Sequence, residues 1–405
     1  MKQLLFQLSF LFVCTTAFGQ YTGTDTLSYY SDYFKANRQL RISLPTGYEQ
    51  YPNRKYKVIY LFDAQSSSLY EFTKATMVFF PGYANFYFDP VILVGIVTSN
   101  RHFEFLPRHQ NTIAGNGNYP SAGGADTLAK SIENELKPFI ERKFRTTGFN
   151  IGIGHSLGGT FVTYCMLKFP TIFNAGIAIS PNYLYDNEEI LNAFKKDDPK
   201  KNLYGKFLYI AHGNSDELEE KFKPSTVKFN ELLVSNKIPG FYYKVEKLDN
   251  NSHSTTPMEG IFKGLIFIND FLNLSYDKYK VVLNNNTEKY IDFLKEYFTT
   301  QSKITGTTLP AIGEFNTIAY NTFYAGKKSE AIQILEWAIS LYPNDANLFD
   351  SMGEIQEAAG NKEQATSFYS KGLALTEEQK NELSERIYND RVKAFNKRLS
   401  HLVNK

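Results

Sequence analysis

Between Tyr56 and about Asn273 the sequence alternates short apolar runs, typical of strands, with longer segments that have helical spacing. The strand candidates are almost continuous in apolar or β-branched residues, as expected for strands covered on both faces. They are Val58–Phe62, Val91–Val97, Asn150–Ile153, Ala175–Ile179, Phe207–Ala211 and Tyr242–Glu246. Because such alternation produces a mostly parallel sheet with right-handed crossovers, we predict an α/β domain. The Tyr- and Ser-rich segment Leu27–Leu44 is expected to add antiparallel edge strands.

The last third of the chain, after Leu274, is rich in Lys, Asn and Glu and has an internal period. Three pairs of small residues are each 34 positions apart, namely Gly326 and Gly360, Ala331 and Ala365, and Ala338 and Gly372. At such positions the two antiparallel helices of a tetratricopeptide repeat pack closely, although an ordinary pair of helical hairpins is the alternative. We predict about two repeats over 312–379, within an all-α region at 276–405. So short an array must bury its end faces against another surface, and the α/β domain is the expected one.

Residues 1–19 are typical of a secretory signal peptide. Lys2 precedes an apolar stretch of 10 residues, Leu4–Val13, and Ala17-Phe18-Gly19 offers small residues at positions −3 and −1 of a cleavage site. A buried strand or a membrane anchor is the alternative, but the stretch is too short to span a bilayer. We therefore expect a secreted or periplasmic protein with no membrane span, whose α/β domain occupies 20–275.

The charge balance and the cysteine count exclude several classes of protein. With 44 Lys and Arg against 42 Asp and Glu, the formal net charge is +2, which removes the electrostatic case for nucleic-acid binding. Two cysteines cannot build a disulfide scaffold or a multi-Cys metal site, and no metal or organic cofactor is predicted. Removal of the signal would leave Cys165, interpreted as a core residue, as the single thiol. The aromatic fraction is 16%, and the cluster Phe79–Phe88 is expected to flank a substrate cleft unless composition bias explains it.

The most specific motif is Gly152-Ile153-Gly154-His155-Ser156-Leu157-Gly158-Gly159, which lies between a strand candidate and the helical run Thr160–Lys168. A serine on so tight a strand-to-helix turn has an exposed hydroxyl, and glycines two residues to either side let the backbone close the turn. A phosphate-binding or purely structural glycine turn is the alternative. The segment lacks the lysine of a P-loop and the glycine spacing of a dinucleotide fold, so Ser156 is predicted to be a nucleophile.

A serine nucleophile needs a base and an acid that orients it. Among six histidines, His253 follows the last strand and precedes a helical run, which is where α/β-hydrolases carry their base. The acid must lie between these two residues, and the strand Phe207–Ala211 leads into a loop that contains Asp216 and Glu217. Either carboxylate could hold the Nδ1–H of His253, with Asp216 narrowly favoured.

Other loops are predicted to complete the site. The backbone N–H groups of Leu157 and Gln65 are expected to bind the oxyanion of the transition state. The always-charged guanidinium of Arg101 could bind a carboxylate or catecholate of the substrate, or pair structurally with an acid such as Glu104. Tyr183 begins a loop that is expected to shape the substrate pocket.

Several segments resemble the putative-esterase family of α/β-hydrolases, the group of esterase D-like, feruloyl and siderophore (enterobactin-type) esterases. The segments are Tyr60-Leu61-Phe62-Asp63-Ala64, Gly95-Ile96, Asn100-Arg101, Glu104 with Pro107, Gly123-Gly124-Ala125-Asp126, Glu135–Ile140, Gly154–Gly159 and Ser180-Pro181. The resemblance covers about 25–275 and implies serine-dependent ester hydrolysis by Ser156 and His253. Ala64 departs from the glycine that is usual in the family. The C-terminal repeats resemble tetratricopeptide tails of some bacterial members.

We therefore predict a serine esterase that hydrolyses a small-molecule carboxylic ester through an acyl-enzyme intermediate. A siderophore ester hydrolase and an acyltransferase are alternatives within the same chemistry. From another class, the chain could be a repeat-based interaction protein with an inactive hydrolase domain. The repeats would then bind a protein partner, whereas in an enzyme they could serve only for packing within the chain.

Overall fold

The structure is a computed structural model, and it describes residues 23–82, 90–109, 119–196, 199–274 and 290–403. The predicted signal peptide, Cys14 and the part of the aromatic cluster from Tyr83 to Phe88 lie outside the described residues. Within the described ranges, no helix has both the length and the apolar character needed to cross a membrane.

Eight strands form a single mixed sheet in the order β1-β2-β4-β3-β5-β6-β7-β8. They are β1 Asp25–Ser31, β2 Ala36–Ser43, β3 Tyr56–Leu61, β4 Val91–Ile96, β5 Thr146–His155, β6 Ala175–Ile179, β7 Phe207–His212 and β8 Tyr242–Lys247. The pairs β1–β2 and β2–β4 are antiparallel, and every pairing from β4 to β8 is parallel. The mostly parallel sheet and its antiparallel N-terminal edge are confirmed.

Helices cover both faces of the sheet. In the α/β part they are α1 Ser67–Gly82, α2 Arg101–Phe105, α3 Ala125–Ser131, α4 Lys137–Lys143, α5 Leu157–Lys168, α6 Tyr185–Lys196, α7 Pro199–Leu203, α8 Glu217–Asn236 and α9 Thr256–Leu272, with a π turn Ile132–Leu136 between α3 and α4. Successive residues of β3 enter different cores, since Val58 and Tyr60 pack in one cluster and Ile59 and Leu61 in the other. This alternation is why the central strands are apolar throughout.

The C-terminal helices form hairpins that repeat along the chain. They are α10 Tyr290–Thr305, α11 Ile312–Tyr324, α12 Lys328–Leu341, α13 Ala346–Ala358, α14 Lys362–Glu378, a 3₁₀ turn Lys380–Glu382 and α15 Glu385–Val403. Helices α11 and α13 begin 34 residues apart, as do α12 and α14. The small residues allow close packing: a Cβ on Gly353 would lie 2.3 Å from the Tyr369 ring, and one on Gly372 would lie 2.4 Å from the Phe395 ring.

The helical region packs against the end of the sheet at which the parallel strands begin. The Leu274 N–H donates to Glu314 Oε1 at 2.8 Å, and the Asn53 amide donates to the Asn344 carbonyl at 3.3 Å. The Arg391 guanidinium donates to the Gln50 carbonyl. Residues 50 and 53 precede β3, so this contact surface is opposite the carboxyl ends of the strands. These hydrogen bonds connect the helical region to the α/β part of the chain.

Candidate active site

The turn at Ser156 has the strained geometry that its sequence predicts. Ser156 separates β5 from α5 and has φ +57° and ψ −120°, a conformation that residues with a side chain rarely adopt. Its N–H donates to the Ile179 carbonyl at 2.8 Å, and its own carbonyl accepts from the Thr160 N–H at 3.0 Å. A Cβ on Gly154 would lie 2.2 Å from the Gly158 backbone, so a residue larger than glycine is not compatible with this packing.

His253 lies in the connection from β8 to α9, and its neighbours hold it on several sides. Its backbone N–H donates to Asp216 Oδ2 at 2.7 Å, and its carbonyl accepts from His155 Nε2 at 2.8 Å and from Thr256 Oγ1 at 3.0 Å. Its Nδ1 bonds Glu219 Oε1 at 2.7 Å. These bonds leave the ring Nε2 as the nitrogen available to a reacting group.

Glu219 holds the Nδ1–H of His253, so the prediction that Asp216 or Glu217 does so is wrong. Glu219 is fully buried, and its Oε2 accepts the Gly213 N–H at 2.6 Å. Burial alone would raise the pKa of this carboxyl, but hydrogen bonds from His253, Ser180 and Gly213 outweigh it and hold the pKa below its usual range. The carboxylate is therefore ionised at neutral pH, as an acid that orients a histidine must be.

Asp216 has a different place in the site. It is the N-cap of α8, where its Oδ1 accepts the Glu219 N–H at 2.8 Å while its Oδ2 accepts the His253 N–H. The bond from the Glu219 N–H is the main cause that lowers the pKa of Asp216. Glu217 is the first residue of α8 and is exposed. Residues two apart in a helix lie on opposite sides, and this relation between Glu217 and Glu219 was the signal that could have identified Glu219.

Two loops pack tightly to bring His253 onto Glu219. The N–H groups of Asn214 and Ser215, after β7, donate to the Asn251 carbonyl, after β8, at 3.0 and 3.1 Å. A Cβ on Gly213 would lie 2.2 Å from that same carbonyl oxygen. Because both strands end at the same edge of the sheet, their loops meet there, as expected for a site at the carboxyl ends of parallel strands.

Asp63, in the loop after β3, forms a salt bridge with Arg101. Arg101 Nη2 lies 2.9 Å from Asp63 Oδ2, and Arg101 remains 37% exposed. Arg101 is thus paired structurally with an acid, as one alternative held, but the acid is Asp63 and not Glu104, which is buried against the guanidinium of Arg38. Asp63 has φ +60°, and a Cβ on Gly158 would lie 3.5 Å from its carboxylate. The Asp63–Arg101 pair therefore lies beside the first turn of α5.

The two predicted oxyanion donors stay predictions. Leu157 is the first residue of α5, directly after the serine. The side chain of Gln65 is fixed, since its Nε2 donates to Asp63 Oδ1 at 2.8 Å and its Oε1 accepts the Thr98 N–H at 2.9 Å. The neighbouring Ala64 N–H already donates to the Ile96 carbonyl at 3.0 Å, so it is not available to an oxyanion.

Tyr183 is a core residue, and its predicted contact with substrate is wrong. The side chain is fully buried, and its hydroxyl lies 2.6 Å from the Thr163 hydroxyl. Its ring packs edge-on against Phe229 with centroids 5.1 Å apart. The predicted core position of Cys165 is confirmed, because its free thiol is fully buried.

A cavity of about 220 Å³ opens beside Phe222. Its lining includes His109, Tyr119, Asn182, Tyr185, Leu218 and Phe222. The Phe222 ring also contacts the His253 ring edge-on, with centroids 5.7 Å apart. The Asn182 Nδ2 donates to the Tyr119 hydroxyl at 3.1 Å, while its buried Oδ1 has no hydrogen-bond partner in the described part of the chain. In that same part, no three His, Cys, Asp or Glu side chains converge as a metal site would require.

Comparisons with known proteins relate the chain to a family of esterases. A model of the family described as putative esterase matches residues 31–256. Ferri-bacillibactin esterase BesA of Bacillus subtilis (strain 168) is 32% identical over 204 residues, which are 46% of this chain and 68% of BesA. An IroE-like serine hydrolase from Shewanella oneidensis superposes with a TM-score of 0.66 at 22% identity, covering 79% of this chain and 100% of that one. An uncharacterised protein from Capnocytophaga ochracea DSM 7271 superposes with a TM-score of 0.60 at 17% identity, covering 95% and 100% of the two chains.

Proposed function

The chain belongs to the putative esterase family and is an ester hydrolase, and on that premise we propose that Ser156, His253 and Glu219 form its catalytic triad. The observation that carries the proposal is the strained Ser156 on its strand-to-helix turn, next to a residue that bonds the His253 loop directly. The ionised Glu219 supports it, since its bond to Nδ1 leaves Nε2 of His253 for the serine.

The reaction follows from these roles. Ser156 Oγ attacks the ester carbonyl carbon while His253 Nε2 takes the hydroxyl proton, and Glu219 stabilises the resulting imidazolium. His253 then returns the proton to the leaving alcohol as the ester C–O bond breaks, which leaves an acyl group on Ser156. A water molecule, activated by the same histidine, hydrolyses this acyl-enzyme and restores the serine.

The oxyanion that forms at the carbonyl oxygen needs preorganised donors. We assign the N–H groups of Leu157 and Gln65 to this role, because Leu157 begins a helix directly after the nucleophile and Gln65 follows β3 at the same edge of the sheet. Loss of one such donor typically costs about 3–4 kcal/mol of transition-state stabilisation.

We propose that part of the substrate occupies the cavity beside Phe222. A cavity of about 150 Å³ suffices for benzene, so this one has room for an aromatic ring with a few substituents. The aromatic lining suits such a ring. This agrees with a siderophore-type ester, the class suggested by the similarity to the ferri-bacillibactin esterase BesA. A panel of acetyl, feruloyl and siderophore esters, assayed with one preparation, tests the assignment.

A fluorophosphonate probe tests the proposed nucleophile. We expect the folded protein to be labelled at Ser156, with no labelling of Ser156→Ala and normal labelling of Ser215→Ala, an exposed serine on a neighbouring loop. Folded protein that shows no labelling would contradict the triad and favour the alternative of an inactive hydrolase domain.

The remaining sequence predictions belong to the same proposal. We propose that the protein is secreted or periplasmic after cleavage behind Gly19, and that α11 to α14 are tetratricopeptide-like repeats. The 34-residue spacing of these helices supports the second point. N-terminal sequencing of the exported protein tests the first, since it should begin at Gln20.

A further inference from the structure

His155 stands directly before Ser156 and touches the residue that the proposed mechanism uses as its base. Its Nε2 lies 2.8 Å from the His253 carbonyl, 98 positions away in sequence, and the two rings have centroids 4.6 Å apart. We propose that His155 is a positioning residue, which holds the His253 loop against the Ser156 turn. This inference rests on the proposed triad.

The hydrogen bond from His155 directly joins the Ser156 turn to the loop that carries His253. His155 is one peptide unit from the nucleophile, and its acceptor is the backbone of the base itself. A carbonyl oxygen can only accept, so Nε2 must carry the proton. The same carbonyl also accepts from Thr256 Oγ1 at 3.0 Å, which uses its second lone pair.

On the opposite side, helix α8 holds the same residue. Asp216 accepts the His253 N–H and Glu219 accepts its ring Nδ1–H, so these bonds fix His253 relative to α8 alone. A contact to the turn fixes its distance from Ser156 most directly, and His155 supplies one. A misplacement of about 1 Å between reacting groups can cost 10²-fold in rate, so the contact has a catalytic consequence.

The electrostatic surroundings suit this role, because a positively charged His155 would oppose the charge that His253 gains in the reaction. The charged and titratable groups that act on it are His253, Arg101 and Glu219. Burial, and then His253, lower the pKa of His155 to about 4, and the smaller opposing effect of Glu219 does not restore it. His155 therefore remains a neutral donor over the range in which an esterase works.

The test compares His155→Leu with His155→Gln in the full chain. Leucine removes the donor, so kcat for p-nitrophenyl acetate should fall about 10- to 100-fold with little change in KM. Glutamine keeps an N–H donor near the same position and should restore most of the loss. Fluorophosphonate labelling of Ser156 should slow in parallel with kcat. Equal kcat in His155→Leu and the unmodified protein would overturn the proposal.

A charge-bearing variant tests whether the side chain at position 155 lies close enough to His253 to act on it. His155→Lys retains an N–H donor and brings a positive charge beside His253 wherever the amine is protonated, so the acid limb of the kcat/KM profile should move to lower pH by about one unit. Thermal unfolding of each variant is measured in parallel. The remaining variants decide the question if His155→Leu does not fold. An acid limb that does not shift in His155→Lys, together with equal losses of kcat in His155→Gln and His155→Asn, would then overturn the proposal. If the unmodified protein is neither labelled nor active, the triad itself is wrong.

Discussion

At the scale of single residues, three acidic side chains in one turn have three different environments. Asp216 caps helix α8, Glu217 is exposed to solvent, and Glu219 is buried with its carboxylate on His253. Substitutions at these positions should therefore differ sharply, although they remove the same chemical group.

Glu219→Gln should lower kcat by about 10³- to 10⁴-fold, because an amide cannot stabilise the imidazolium and favours the wrong tautomer of His253. Steady-state hydrolysis of a short-chain p-nitrophenyl ester measures this. Glu217→Gln is the matched control and should retain the original rate, since its side chain is exposed. A larger loss in the control than in Glu219→Gln would reverse the assignment.

Asp216→Ala should affect stability more than chemistry. Loss of an N-cap costs about 1 kcal/mol, which lowers Tm by about 2–4 °C in a domain of this size. The His253 N–H also loses its acceptor, so kcat should fall, but by less than about 10²-fold. Calorimetry and kinetics on the same sample measure both effects. A kcat loss equal to that of Glu219→Gln would return the acid role to Asp216.

At the scale of elements, glycine positions determine how closely helices and strands approach. In the Ser156 turn the close approach is between Gly154 and Gly158, and in the helical region it is between α13 and α14 at Gly353. The glycines of these sequence motifs thus lie where two segments approach too closely to leave room for a side chain.

Gly353→Ala gives a test of helix packing in which two effects have opposite sign. Alanine is better than glycine in a helix by about 1 kcal/mol, but its Cβ would lie 2.3 Å from the buried Tyr369 ring. Overpacking of this kind typically costs about 1–3 kcal/mol, so a net loss of stability is expected. Hydrogen exchange of α13 and α14 should become faster while ester hydrolysis is unchanged. Ser367→Ala, an exposed change on α14, serves as control, and a rise in protection in Gly353→Ala would contradict the predicted overpacking.

At the scale of the whole molecule, the helical region and the proposed catalytic residues lie at opposite ends of the sheet. The junction contains Glu314, which binds the Leu274 N–H, and Lys57 at the start of β3. Burial raises the pKa of Glu314 to about 8 and lowers that of Lys57 to about 8. We therefore expect the junction to be sensitive to pH, although the proposed catalytic residues are remote from it.

The sign of this pH dependence follows from each shift. Because the pKa of Glu314 is raised in the folded protein, its contribution to the free energy of unfolding is complete below the pKa of the unfolded state, near 4.5. That contribution is lost as the pH rises through about 8. Because the pKa of Lys57 is lowered in the folded protein, its contribution to the free energy of unfolding is complete above the pKa of the unfolded state, near 10.5. That contribution is lost as the pH falls through about 8. Together these groups should produce a minimum of stability near pH 8.

Thermal unfolding from pH 6 to pH 10 tests this minimum. Glu314→Gln keeps the acceptor for the Leu274 N–H but cannot ionise, so the fall in Tm between pH 6 and pH 8 should disappear. Glu330→Gln, on helix α12, is a control that should retain the fall. A profile that is the same in Glu314→Gln and the unmodified protein would show that another group causes the pH dependence.

Much of the fold was predictable from the sequence because the relevant signals are local. A strand covered on both faces must be apolar throughout, so β3 to β7 are recognisable from short runs. The turn at Ser156 requires glycines at fixed distances along the chain, and two helices that pack closely require small residues at a fixed period. The place of His253 after the last strand followed from chain order alone, which parallel strand–helix alternation preserves in space.

The tertiary structure alone decided which side chains meet. The sequence restricts the acid to one short segment, but only the start and direction of α8 select Glu219 over Asp216 and Glu217. The partner of Arg101 is Asp63, 38 positions away, and Tyr183 points into the core. Such contacts depend on how separate elements pack, so no local pattern contains them. The sequence by itself determined the sheet, the tight turn at Ser156 and the repeat period, whereas long-range packing determined which carboxylate bonds His253, the salt bridge and the cavity.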